Sequence, residues 1–394
     1  MLHARLNLLL AAMLAAVGAC DRAATPEAPR PATRPAAVVA EPTWAAFHGG
    51  GMLVGIAPDI APPPMKLRWT YRTNDQERAA VEAAPVILNG VVYVPDMRGT
   101  LHAIDLGSGE ARWTYAAENG FETTPLVMDG RVFLGDLGGV FHAISAADGK
   151  KLWTIETDSV IHSSANAEGG RIVFGTDAAE VYCVDADGTV LWKGTAGDRI
   201  NGAGAIWDGA AYFSGCDAQL RAFSLADGKE RFAADLGMLS GGACAIADQR
   251  VVAGTDQGRV VCFSADGRKQ LWLYEQVEEQ AMVYCSPAIA DHIVVIGARD
   301  RLVHAIDLHT GKRAWAFRTR GDVDAAPLIS GGRVYVGSRD KNLYVLDLRS
   351  GKELWSFTAA RAVVGGCAIG GGVVVFGDTG GNVYCLEPGD APAR

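Results

Sequence analysis

Six polar side chains occupy the same position in different copies of a sequence repeat. Successive copies of that position are 39 to 43 residues apart. They are called the axial ring here and comprise Glu82, Glu122, His162, Asn201, Tyr284 and Asp324, with Gly241 and Val364 at the two remaining copies. Carboxylate and amide oxygens suit calcium or a polar ligand, and carboxylates held close together shift one another's pKa values. The alternative, which we favour, is a water-filled funnel in which the same groups stay solvated.

No other set of residues has the spacing of a known catalytic or metal site. The sequence contains no G-x-S-x-G motif and no glycine-rich phosphate loop. It also lacks the C-x-x-C and Cys-His spacings that are typical of zinc and c-type haem. His102, His142 and His304 share one repeat position, which we interpret as repeat surface rather than as metal ligands. We therefore assign no catalytic residue.

The cysteines also follow the repeat. Cys183, Cys262 and Cys385 stand where other copies have Ala, so they are interpreted as small core residues in blades too far apart for a disulfide. Seven cysteines follow Cys20, and an odd number leaves at least one unpaired within the chain. A bridge that involves Cys216, Cys244 or Cys285 stays open. The seven cysteines are Cys183, Cys216, Cys244, Cys262, Cys285, Cys367 and Cys385.

The elements that position the axial ring are eight copies of one β-rich unit. Each copy ends on an aromatic residue that we expect to pack between neighbouring blades: Trp69, Trp113, Trp153, Trp192, Phe232, Trp272, Trp315 and Trp355. Intervals of 39 to 44 residues, short alternating apolar runs and Gly-Asp turns predict four strands per copy. The 48 glycines in 394 residues fit such a turn-rich chain.

These copies predict an all-β fold, a single eight-bladed β-propeller over residues 67–394. The chain enters on a Trp strand at 67–71 and ends after three strands of the last copy. One strand plus three makes a complete four-stranded blade, so the N-terminal strand should close the ring and remove the exposed sheet edge.

The N-terminal region predicts a lipoprotein. Residues 1–19 hold an apolar run behind Arg5, too short to span a bilayer as a helix but right for a signal peptide. The run ends at Val17-Gly18-Ala19-Cys20, which resembles a bacterial lipobox, so Cys20 would be lipidated and anchor the chain in a bilayer. Residues 20–43 are rich in Ala and Pro and predict an extended tether. Residues 44–66 lead into the propeller and are called the strap here.

The copy at Ala305-Ile306-Asp307, with Gly311-Lys312 and Trp315, follows an A-x-D-x-x-x-G-K-x-x-W pattern, as does the copy that ends at Trp113. This pattern resembles the tryptophan-docking repeat of the pyrroloquinoline quinone (PQQ) propeller superfamily over residues 44–394. The superfamily includes quinoprotein dehydrogenases and BamB, the propeller lipoprotein of outer-membrane barrel assembly. For a dehydrogenase, the resemblance implies an adjacent cysteine pair, a tryptophan and a calcium site around the quinone, whereas this chain has no Cys-Cys pair.

We therefore expect a non-catalytic lipoprotein of the bacterial envelope. Facing the periplasm, it would act as a scaffold for an envelope protein complex, as in BamB-like outer-membrane protein assembly, without a cofactor. A net charge of −9 and the absence of a Lys/Arg cluster argue against nucleic acid as a partner. Asp21 resembles a signal for retention in the inner membrane, and the choice of membrane stays open. Two alternatives remain: a sensor that binds a small ligand or calcium at the axial ring, and a PQQ-dependent dehydrogenase.

Overall fold

The structure, a computed structural model, describes residues 44–58, 61–74, 79–275 and 281–389. The predicted signal peptide, Cys20 and the tether lie outside the described residues. Within the described ranges, helical structure is limited to a 3₁₀ turn at Phe47–Gly49. No helix in this part of the chain has the length and apolar character needed to cross a bilayer.

In the part of the chain that the structure describes, thirty-two strands form eight antiparallel sheets of four strands, the blades of a propeller. Blade 1 contains β2 (Val86–Leu88), β3 (Val91–Pro95), β4 (Thr100–Asp105) and β5 (Ala111–Ala116). Blade 2 contains β6 (Leu126–Met128), β7 (Arg131–Gly135), β8 (Val140–Ser145) and β9 (Lys151–Glu156). Blade 3 contains β10 (Asn166–Glu168), β11 (Arg171–Gly175), β12 (Glu180–Asp185) and β13 (Val190–Thr195). Blade 4 contains β14 (Ala205–Trp207), β15 (Ala210–Ser214), β16 (Gln219–Ser224) and β17 (Glu230–Asp235).

The other four blades repeat this order. Blade 5 contains β18 (Ala245–Ala247), β19 (Arg250–Gly254), β20 (Val260–Ser264) and β21 (Gln270–Tyr274). Blade 6 contains β22 (Ala288–Ala290), β23 (Ile293–Gly297), β24 (Leu302–Asp307) and β25 (Arg313–Arg318). Blade 7 contains β26 (Leu328–Ser330), β27 (Arg333–Gly337), β28 (Asn342–Asp347) and β29 (Glu353–Thr358). Blade 8 contains β30 (Cys367–Gly370), β31 (Val373–Gly377), β32 (Asn382–Pro388) and β1 (Met65–Arg72).

The predicted fold and its closure are confirmed. Strand β1 pairs antiparallel with β32, with Trp69 opposite Cys385, and completes the sheet that β30 and β31 begin. The first strands of neighbouring blades contact one another and surround the axis. The middle strands are almost entirely buried, because they pack on both faces, whereas the fourth strand of each blade alternates towards solvent.

Six of the docking tryptophans join their blades to the next one through a hydrogen bond. The indole N–H donates to a backbone carbonyl 2.7–3.1 Å away in the following blade. The ring also covers a glycine of that blade: a Cβ at Gly149 would lie 2.6 Å from Cε3 of Trp113. The donor–acceptor pairs are Trp69–Leu106, Trp113–Ala146, Trp153–Ala186, Trp192–Leu225, Trp272–Leu308 and Trp315–Leu348.

The junction between blades 4 and 5 uses a different donor. Phe232 covers Gly267 in the same way, but its ring has no N–H. The Tyr212 hydroxyl instead donates to the Ala265 carbonyl, the acceptor equivalent to those above, at 3.0 Å. A tyrosine of the same blade thus replaces the missing indole donor.

The strap runs along the inner edge of the ring. Strand edges at the axis present unpaired backbone N–H groups, which need partners. Strap carbonyls accept hydrogen bonds of 2.8–2.9 Å from the innermost strands of six blades, and blade 3 is joined through the Asn166 side chain. The strap acceptors, in order, are Trp44, Ala45, Gly51, Met52, Val54 and Gly55, which bond Ile87, Val127, Ile206, Ile246, Ile289 and Ile329.

Candidate functional site

All six residues of the axial ring line one cavity of about 380 Å³ at one end of the propeller axis, called the axial cup here. Each residue stands four positions before the innermost strand of its blade, so the blade repeat carries all six to the same level. Small residues such as Ala83 and Gly202 separate them from those strands and allow eight chains to approach the axis. The structure thus brings the predicted residues together.

The strap lines a second cavity, of about 180 Å³, that shares the axial ring with the axial cup. Phe47 lines this second cavity beside the small residues of the inner strands. His48 follows it, buried and stacked on the Phe47 ring, with Nδ1 3.2 Å from the Leu53 carbonyl. Burial lowers the pKa of His48 to about 4, against the opposing effect of that hydrogen bond, so its imidazole is neutral at pH 7.

Two arginines that the sequence analysis missed complete one side of the cup. Arg299 Nε donates to Asp324 Oδ1 at 2.8 Å, and Arg339 Nε donates to Asp324 Oδ2 at 2.5 Å. The Arg299 guanidinium also lies 4.6 Å from the centre of the Tyr284 ring. Burial alone would raise the pKa of Asp324, but the two arginines outweigh burial and lower it. Both arginines follow a ring residue by fifteen positions, a spacing that the repeat contains.

The opposite side of the cup is acidic and carries one imidazole. His162 Nδ1 lies 2.8 Å from Glu122 Oε2, and its Nε2 lies 3.7 Å from Asp177 Oδ2. The hydrogen bond that His162 donates to Glu122 raises the pKa of His162, although burial opposes this effect. Burial, followed by the charge of Glu122, raises the pKa of Glu82. The cup therefore has an Arg-rich side and a carboxylate-rich side.

Two oxygen acceptors on the acidic side are buried without a partner in the described structure. They are Asn201 Oδ1 and Asp177 Oδ1. A buried acceptor that lacks a donor costs free energy, and a ligand or water that donates would recover it. The arrangement thus favours a small polar molecule or a water that donates a hydrogen bond to Asn201.

The side chains that line the cup fit calcium and PQQ poorly. Calcium takes six to eight oxygen ligands, and neighbouring cations oppose it. Both oxygens of Asp324 already bind guanidinium groups, and Glu122 binds His162, which leaves Glu82 as the one free carboxylate of the axial ring. The cysteine pair that the superfamily resemblance implies for a quinone enzyme is absent from the sequence.

The interpretation of the three repeat histidines as surface residues is wrong. His102, His142 and His304 are at most 4% exposed. Each imidazole bridges two blades: Nδ1 lies 2.9–3.0 Å from a tyrosine hydroxyl of the preceding blade, and Nε2 lies 2.9–3.1 Å from an aspartate of its own blade. The sets are Tyr71–His102–Asp96, Tyr115–His142–Asp136 and Tyr274–His304–Asp300.

These sets are structural. The carboxylate can only accept, so Nε2 carries a proton and a neutral imidazole accepts from the tyrosine at Nδ1. Burial lowers the pKa of His142, although the hydrogen bond and charge of Asp136 oppose this effect. The lowered pKa keeps the imidazole neutral. The sequence signal was available, because each of the three tyrosines stands two residues after a docking tryptophan and a histidine follows in the next copy.

The seven cysteines among the described residues carry free thiols. The disulfide left open for Cys216, Cys244 or Cys285 is therefore not formed in this structure. Burial raises the pKa of Cys244 and of Cys285 to about 12, so both remain protonated thiols at pH 7. They behave as small core residues, in the same way as Cys183, Cys262 and Cys385.

The eight docked blades and the axial cup define a propeller of the PQQ-like repeat class. A family model described as "Outer membrane protein assembly factor BamB" matches residues 66–167, 159–282, 217–320 and 257–392. These matches span most of the chain, and the chain belongs to this family.

Solved structures from both branches of the superfamily, BamB and the dehydrogenases, share the fold of this chain. BamB from Moraxella catarrhalis superposes with a TM-score of 0.69 at 16% identity, over 84% of this chain and 100% of that one. A europium-containing methanol dehydrogenase gives 0.77 at 12% identity, over 88% of this chain and 98% of that one. The quinohemoprotein alcohol dehydrogenase from Comamonas testosteroni gives 0.72 at 14% identity, over 90% and 82%. At such low identities these likenesses show the fold alone.

Among curated proteins, one similarity concerns a short segment. The 1-butanol dehydrogenase (cytochrome c) of Thauera butanivorans is 38% identical over 66 residues. Those residues are 17% of this chain and 9% of the dehydrogenase, so the enzyme is nearly twice as long. The chain thus matches a small part of that relative, and the match does not extend to the enzyme as a whole.

Proposed function

We propose that the protein is a non-catalytic scaffold of the bacterial envelope that binds a protein complex through the face that carries the axial cup. Membership of the BamB family supports a role in outer-membrane protein assembly. The side chains that line the cup fit calcium and PQQ poorly, which argues against the dehydrogenase alternative. The lipid anchor at Cys20 and a periplasmic location are parts of the same proposal.

An apolar patch beside the cup carries this proposal. Leu239 and Met282 occupy equivalent loop positions in blades 5 and 6 and are 43% and 36% exposed. Tyr284, 37% exposed, lies over Gly241, and the Arg299 guanidinium packs against its ring. Exposed apolar side chains grouped with Tyr, Met and Arg are typical of protein interfaces. This group is called the rim patch.

The first experiment uses charged substitutions in the rim patch. The protein is purified from membranes after crosslinking, as wild type and as the double variant Leu239→Asp, Met282→Asp. Loss of interface anchors that contribute about 2 kcal/mol weakens binding by about thirtyfold, so the variant should lose the outer-membrane assembly complex. Leu354→Asp is the matched control, because Leu354 is 43% exposed but lies on the outer strand β29. Equal recovery with all three proteins would reject the rim patch as the docking surface.

A second experiment tests the cellular role. Deletion of the gene should lower the amounts of outer-membrane β-barrel proteins and increase sensitivity to detergent. Re-expression of the wild type should restore both, whereas the rim-patch variant should not. Unchanged barrel protein levels and unchanged detergent sensitivity in the deletion strain would refute the assembly role, whatever the protein binds.

The unpaired acceptor of Asn201 favours one second candidate, a sensor that binds a small polar ligand in the axial cup. Such a ligand should raise the thermal unfolding temperature of the purified protein. Glu122→Ala and Asp324→Ala should abolish that shift, because Glu122 holds His162 in place and Asp324 holds Arg299 and Arg339 in place. A ligand shift that persists in both variants would place the binding site elsewhere.

A further inference from the structure

Two histidines and an aspartate meet on the face of the propeller opposite the axial cup. Asp248 belongs to the turn between β18 and β19 of blade 5. His292 belongs to the corresponding turn of blade 6, and His309 to the turn between β24 and β25 of that blade. All three side chains are exposed, by 41–63%. The group is called the turn cluster and contains no residue of the axial ring or rim patch.

The three potential ligand atoms lie at distances that suit one metal ion. His292 Nδ1 is 2.9 Å from Asp248 Oδ2 and 3.1 Å from His309 Nε2. His309 Nε2 is 3.7 Å from Asp248 Oδ2. Tetrahedral ligands at zinc bond lengths of about 2.0–2.2 Å lie about 3.3–3.6 Å from one another. Small side-chain movements therefore place all three atoms on a single ion.

Without a metal, protons satisfy this arrangement incompletely. His292 Nδ1 faces an acceptor, the Asp248 carboxylate, and also faces the ring nitrogen of His309. One Nδ1 proton can serve both neighbours only if it is shared between them, which makes each hydrogen bond weaker. A divalent cation accepts lone pairs from all three atoms and removes this conflict.

The backbone around the cluster is held before any ion binds. The Leu308 N–H donates to the His292 carbonyl at 2.8 Å, which joins the two turns of blade 6. The His309 N–H donates to Asp307 Oδ1 at 3.1 Å. The imidazoles of His292 and His309 lie with ring centres 4.7 Å apart. The backbone of these turns therefore loses little further conformational freedom when a metal ion binds.

We propose that the turn cluster binds one late first-row divalent cation, with zinc as the expected ion. Two imidazoles and one carboxylate form an N₂O set, which suits zinc and disfavours calcium and magnesium. The exposed position leaves a fourth site for water or for a side chain of a partner. The ion joins a turn of blade 5 to two turns of blade 6.

Calorimetric titration of the protein without a histidine tag, with zinc chloride at pH 7.5, tests this proposal. Wild type should bind one zinc ion, and cobalt in its place should give the visible spectrum of a tetrahedral site. His292→Ala and His309→Ala should each weaken zinc binding by more than about tenfold, since loss of supporting groups alone costs that much. Calcium chloride should give no comparable binding.

A histidine of the axial cup supplies the control. His162→Ala should bind zinc as wild type does. The proposal is overturned if wild type binds no zinc, if both turn-cluster variants bind it as wild type does, or if His162→Ala alone abolishes binding. Because His292 and His309 are exposed, the metal-free variants should unfold at the temperature of the wild type, which separates loss of ligand from loss of fold.

Discussion

Two glycines of blade 2 allow the contribution of blade docking to be isolated. Gly149 and Gly130 both have a φ of +73°, so alanine at either position meets the same left-handed backbone penalty of about 1–2 kcal/mol. A Cβ at Gly130 would have nothing within 4 Å, whereas a Cβ at Gly149 would lie 2.6 Å from Cε3 of Trp113. Overpacking of this kind costs about 1–3 kcal/mol more. Gly149→Ala should therefore be the more destabilising substitution by that difference.

Urea unfolding of wild type, Gly130→Ala and Gly149→Ala measures the two costs. Repeating both substitutions in a Trp113→Ala background removes the indole, and the excess cost at Gly149 should then vanish. Equal costs in the wild-type background would show that the indole does not press on the glycine. An excess that persists without Trp113 would attribute the cost to the backbone and refute docking as its cause.

Three further substitutions test the strap, the cup and the unusual junction. Burial lowers the pKa of His48 to about 4, whereas a histidine in the unfolded chain has a pKa of about 6.5. Between these two pH values the unfolded chain therefore binds a proton at His48 that the folded protein does not bind. Wild type should lose stability as pH falls from 6.5 to 4, and His48→Gln should lose up to about 3 kcal/mol less, measured by urea midpoints. Glu122→Gln should lower the raised pKa of His162 in an NMR titration; the stability that this pair contributes below pH 6.5 is lost as pH rises through the raised pKa. Tyr212→Phe should cost about 1 kcal/mol in urea unfolding, and adding Phe232→Trp should recover it by supplying an indole donor.

The fold could be predicted from the sequence because the pattern of one blade occurs eight times in the chain. Trp69 and the strand around it could be assigned to the last blade by counting strands, and the register with Cys385 confirms that assignment. The position of the axial ring followed for the same reason, since residues at one repeat position lie at one level of the propeller. Repetition thus converts spacing in sequence into position in space.

The features that were missed depend on contacts between copies. Arg299 and Arg339 stand at a second repeat position, and their role emerges only when Asp324 is seen between them. The burial of His142 depends on Tyr115 of the preceding blade, a pairing between copies rather than within one. The path of the strap could not be predicted, because its carbonyls bond backbone N–H groups, and such bonds place no demand on side-chain type.

Purification of the native protein from crosslinked membranes, with quinone and calcium measured on the same sample, tests the scaffold assignment most directly. A scaffold should be recovered with an outer-membrane assembly complex in fixed proportion to the propeller, with neither PQQ nor calcium in stoichiometric amount. Recovery of the protein alone, with one equivalent of PQQ or calcium, would contradict the scaffold role and assign the axial cup as a cofactor site.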